Sequence, residues 1–100
     1  MKTPVHEIQV LIVDDNPTNL KLVTYLVRAY GYEVDTAGDA DAALARIREH
    51  APQLILLDLQ LQGIAGLELT RRLTADPTTR TIAILAFMAY ARNGADDRAR

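Results

Sequence analysis

The chain alternates short apolar runs with stretches in which apolar residues recur every three or four positions. Ile8 to Val13 (IQVLIV) is apolar and β-branched and breaks off at Asp14-Asp15-Asn16-Pro17. That pattern predicts a buried strand running into a helix, with Asn16 as N-cap and Pro17 at the first helical position. Leu20, Val23, Val27 and Tyr30 then share a helical face, and Gly31 stands where a left-handed residue closes a helix. Glu33 to Ala37 (EVDTA) reads as a brief second strand. Asp39 can cap a second helix, on which Ala40, Ala43, Leu44 and Ile47 share a face before Pro52 ends it. Gln53 to Asp58 (QLILLD) is a third strand that ends in a carboxylate. Gly63 and Gly66 are expected to bracket a loop, and a third helix carries Leu69 and Leu73 and closes near Asp76-Pro77. Thr81 to Phe87 (TIAILAF) is the fourth strand, and the last twelve residues are polar with little apolar periodicity. Strands alternating with helices predict an α/β fold with a parallel sheet covered on both faces. Continuous apolar runs suit strands buried on both sides.

Composition narrows the function. One hundred residues make one small domain. With no cysteine there is no disulfide framework, zinc-thiolate site or cysteine nucleophile. A net charge of -2 gives no basic footprint for direct nucleic-acid binding. The purely apolar stretches are too short to span a bilayer, and residues 1–7 lack the apolar core of a signal peptide. The expectation is a cytoplasmic protein with a flexible lead-in over 1–7 and its domain over 8–100.

In an open α/β sheet the site lies beyond the carboxyl ends of the strands. The first strand ends at Asp14 and Asp15 and the third at Asp58, so three carboxylates meet if those strands are neighbours. Like charges so close are costly unless a cation sits between them, and Mg²⁺ suits a few carboxylates with waters. One carboxylate could then attack phosphorus to form an aspartyl phosphate. The alternative is that Asp14 and Asp15 only cap the first helix, where negative charge suits the dipole. That alternative is weaker for Asp58, which no helix directly follows.

Residues 10–23 read VLIVDDNPTNLKLV, followed by Gly31-Tyr32-Glu33-Val34, LILLDLQLQG at 54–63, and Gly66-Leu67-Glu68-Leu69. Over about Ile8 to Gly94 the chain resembles the receiver domain of two-component response regulators. The resemblance implies a flavodoxin-like, doubly wound parallel sheet of strand order 2-1-3-4. It implies that Asp58 is the phosphoacceptor, served by a histidine kinase or a histidine phosphotransfer protein. Asp15 corresponds to a direct Mg²⁺ ligand and Asp14 to one acting mainly through water. Gln60 corresponds to the position whose main-chain carbonyl completes the shell. Such a domain is a phosphoacceptor rather than an enzyme.

The chain departs from the family pattern in three places. Met88 stands at the switch position, normally Ser or Thr, and cannot donate the hydroxyl hydrogen bond. The family's fifth strand, its lysine and the last helix are expected to be missing, and neither Lys2 nor Lys21 is placed to substitute. The loop Gln62-Gly63-Ile64-Ala65-Gly66 lacks the Pro and Asp common there. The expectation is a phosphoacceptor with altered switching. The alternative is a phosphorylation-deficient pseudo-receiver that docks partners or forms a homodimer through an exposed sheet edge. A Mg²⁺-dependent phosphohydrolase fits less well, because such enzymes place a second acid two residues after the nucleophile and this chain has Gln60.

Overall fold

A computed structural model describes residues 8–58 and 65–87. The chain order is β1 (Gln9–Val13), α1 (Pro17–Ala29), β2 (Glu33–Ala37), α2 (Ala40–Glu49), β3 (Leu54–Asp58), α3 (Ala65–Ala75) and β4 (Ala83–Phe87). The four strands are parallel and ordered β2-β1-β3-β4. This is the expected flavodoxin-like arrangement. The expected lead-in 1–7, the expected ligand position Gln60, most of the loop after Asp58 and the expected switch position Met88 lie outside the described residues.

Local chemistry sets the helix ends. Asn16 caps α1, its Oδ1 accepting from the Thr18 and Asn19 amides at 2.9 and 3.2 Å. Pro17 follows at the first helical position, where a missing N–H costs nothing. Gly31 takes φ 96°, a left-handed conformation open to glycine at little cost, and its amide closes on the Arg28 carbonyl at 2.9 Å. Asp39 caps α2 by accepting from the Ala42 amide at 2.7 Å.

Alternation along the strands splits the apolar residues between two faces. Leu11, Val13, Ile55 and Leu57 point to one, where Ala43 and Ile47 of α2 and Leu69 and Leu73 of α3 close over them. Val10 and Ile12 point to the other and are buried, and α1 packs against β1 and β2. Burying each such side chain contributes about 1.5–3 kcal/mol.

Three expectations need correction. Gly66 lies in the first turn of α3, not in a loop, and its carbonyl accepts from the Thr70 hydroxyl at 3.0 Å. A first-turn amide has no intrahelical acceptor in any case, so glycine interrupts little there. Tyr30 lies outside α1 as its C-cap and is 77% exposed, off the apolar face. β4 is not buried on both sides: Ala83, Leu85 and Ala86 are exposed, because it is the outermost strand among the described residues.

Candidate functional site

Parallel register brings the acids together. Val13 pairs with Leu57 across β1 and β3, so Asp14 and Asp58 are the next residues of neighbouring strands. Adjacent strands lie about 4.8 Å apart, and these two positions share a pleat direction with Ile12 and Leu56. Asp15 begins the turn into α1. One carboxylate oxygen from each of Asp14, Asp15 and Asp58 lies within 4.8 Å of the others. Asp58 is fully buried and Asp14 is 1% exposed, while Asp15 is half-buried.

Hydrogen bonds hold Asp14 in place. Its amide donates to the Ala37 carbonyl at 3.1 Å, tying the end of β1 to the end of β2. Its Oδ1 accepts from the Asn16 amide at 2.9 Å. The capping role weighed for Asp14 and Asp15 falls to Asn16, whose side chain takes the helix amides. The aspartates face one another at the carboxyl ends of β1 and β3.

Three carboxylates carry more negative charge than the whole chain's net of -2. Two are sealed from water, where like charges repel most strongly. An all-oxygen set of hard anionic donors at this spacing fits a small divalent cation such as Mg²⁺, which takes one or two carboxylates and completes its octahedron with waters and substrate oxygens. Sequence reasoning brought these three together but gave no role to Asn19. That residue sits in the first turn of α1, is 7% exposed, and its Nδ2 is buried without a hydrogen-bond partner among the described residues. Its only sequence signal is its place in the Asp14–Asn19 run.

The likenesses to known proteins agree with this geometry. The family described as response regulator receiver domain matches residues 10–98. The polar-differentiation response regulator DivK of Brucella anthropi is 43% identical over 91 residues, covering 91% of this chain and 74% of that protein. The receiver domain of a sensor histidine kinase from Pseudomonas aeruginosa, solved with magnesium coordinated in its active-site cleft, superposes with TM-score 0.75 at 30% identity, covering 91% of this chain and 74% of that one. The N-terminal domain of a response regulator receiver protein from Methanoculleus marisnigri gives TM-score 0.74 at 31% identity over 78% of this chain, which spans 63% of that chain's length. The chain therefore belongs to the response regulator receiver domain family of two-component signalling.

Proposed function

We propose that Asp58 accepts a phosphoryl group from a phosphohistidine on a histidine kinase or histidine phosphotransfer protein. The observation that carries this reading is the convergence of Asp14, Asp15 and Asp58 within 4.8 Å at the carboxyl ends of β1 and β3. In the transfer, an Asp58 carboxylate oxygen forms a bond to phosphorus as the donor's P–N bond breaks. The imidazole leaves with the electron pair and takes up a proton, and an acyl phosphate remains. Asp14, Asp15 and Asp58 would hold Mg²⁺, which supplies charge neutralisation to the phosphoryl oxygens. The magnesium-bound receiver from Pseudomonas aeruginosa supports that assignment.

Each residue of the chain has a distinct task in this reading. Asp58 is the nucleophile, Asp15 a direct ligand and Asp14 a ligand mainly through water, while the main-chain carbonyl of Gln60 completes the shell. Met88 stands at the switch position without a hydroxyl to hold the new phosphoryl group, which weakens readout more than acceptance. The domain spans about residues 8–100 and works in the cytoplasm as a signalling acceptor, promoting at most its own phosphorylation and dephosphorylation.

Incubation with Mg²⁺ and acetyl phosphate, followed by intact-mass measurement, tests the reading. The expected result is one phosphoryl adduct that is lost in Asp58→Asn and on chelation of the metal. An adduct that survives Asp58→Asn, or none at saturating Mg²⁺, rejects it.

A further inference from the structure

Helix α1 and strand β2 leave a groove of about 550 Å³ between them. Two strands, β1 and β3, separate β2 from β4, so the groove lies on the far side of the sheet from β4. Leu20 and Thr24 of α1 and Thr36 of β2 line it. Along its α1 rim stand Lys21, Tyr25 and Arg28, spaced by four and then three residues and therefore on one stripe of the helix. All three are exposed, Tyr25 to 71%.

The charge of this groove is one-sided. Among the described residues no carboxylate lines it. Strand alternation turns Glu33 and Asp35 to the opposite face of the sheet, where Ala37 is buried against α2. There Asp35 Oδ1 accepts from the Thr36 amide at 3.1 Å and lies 3.8 Å from Arg46 Nε. Arg46, Arg71 and Arg72 are all tied to acids, whereas Lys21 and Arg28 have no carboxylate partner among the described residues. Two uncompensated cations thus flank an exposed aromatic ring over an apolar residue, Leu20.

We infer that this groove docks an acidic peptide segment of a partner protein. Lys21 and Arg28 stand seven residues apart, about 10.5 Å along the helix axis. An extended segment with three residues per turn and a rise of about 3.1 Å brings carboxylates three positions apart to one side, about 9 Å from each other. The flexible Lys21 and Arg28 stems take up the difference. An aliphatic side chain between the two acids rests against Leu20 and the Tyr25 ring. A nucleoside phosphate fits less well, because its charges are contiguous and meet one cation at a time. A net charge of -2 gives the chain no general attraction for nucleic acid or an anionic membrane. Docking here uses none of the acidic cluster and is independent of phosphoryl transfer.

Fluorescence anisotropy of a labelled octapeptide, with a leucine between two glutamates three positions apart, tests this by titration with the full chain. Binding is expected to saturate below about 1 mM and to weaken as salt is added. A peptide with glutamine in place of both glutamates should bind the wild-type chain at least about fivefold more weakly, a comparison that needs no variant. Lys21→Gln/Arg28→Gln should lose a similar factor. Arg48→Gln, which removes an exposed cation of α2, should stay within about twofold of wild type. Lys21→Glu/Arg28→Glu should instead prefer the matching peptide with two lysines. No saturation by the glutamate peptide, an equal loss from Arg48→Gln, or a charge-reversed chain that still prefers glutamates overturns the inference. So does saturable binding of ATP or of phosphatidylglycerol vesicles at Lys21 and Arg28 in place of the peptide, which would give the groove to a nucleotide or a membrane.

Discussion

The two faces of the sheet are closed to different degrees. On the face under α2 and α3, Leu11, Val13, Ile55 and Leu57 are all within a few per cent of complete burial. On the α1 face Val10 and Ile12 are equally buried over β1, but Leu54 and Leu56 of β3 are only half-covered and Leu85 of β4 lies open. Leu22 and Leu26, one turn apart on α1, are exposed as well. One face therefore supplies the cohesion of the fold. The other carries the acids and, among the described residues, is less completely covered.

The strongest way to break that contrast is to cut the same side chain from each face. Leu57→Ala is expected to lose about 2–5 kcal/mol of unfolding free energy in urea titration, because a cavity opens in a packed cluster. Leu85→Ala should lose less than about 1 kcal/mol. Comparable losses would mean that the open face is as cohesive as the closed one.

The acids provide the next contrast. Saturating Mg²⁺ at about a hundred times its dissociation constant should raise wild-type stability by about 2.7 kcal/mol, and chelation should remove the gain. Asp58→Asn should be more stable than wild type in metal-free buffer, since one of three repelling charges is gone, and should gain less from Mg²⁺. Thermal melts with and without chelator read both effects. A wild type that is indifferent to Mg²⁺ would leave the cluster without its cation.

The cap of α1 comes next. Asn16→Ala strips the acceptor from the Thr18 and Asn19 amides and should cost about 1 kcal/mol, read by urea titration.

The smallest effect concerns pH. Glu68 accepts from Arg71 at 2.7 Å and from Arg72 at 3.1 Å on the surface of α3. The Arg71 hydrogen bond, then that of Arg72, holds its carboxyl below the ordinary 4.5. A lowered native value means that the stabilisation is complete above the unfolded carboxylate's titration. It fades as pH falls below about 4.5 and is gone below the native value. Wild type should therefore exceed Glu68→Gln slightly at pH 7, and the gap should close in acid. A gap that widens in acid would reverse the assignment. Salt should shrink it, as it does for exposed pairs.

Much of this was legible in the chain itself, and the gaps have physical causes. Apolar runs broken by Asn16-Pro17, Gly31 and Asp39 announced the alternation of strands and helices, because capping chemistry is local. The meeting of Asp14 with Asp58 required the parallel register of β1 and β3, which only the order of strands supplies. The first turn of α3 was hidden because glycine signals a loop by its freedom, while its neighbours fix it in a helix. Tyr30 followed the apolar spacing of α1 but fell past its last turn. The apolar run of β4 reads like that of β3, yet position in the sheet, not composition, decides which strand is covered. Asp35 gave no sign that it would turn back to occupy the amide beside it.

The link from Asp14 to Asn16 also makes the acidic corner an input to α1. One hydrogen bond, donated by the Asn16 amide, fastens the carboxylate to the residue whose side chain secures the opening turn of the helix. Any ion that draws Asp14 inward pulls on that knot. Slower deuterium uptake at the Thr18 and Asn19 amides on adding Mg²⁺ would carry the occupation of the site into the opening turn of the helix.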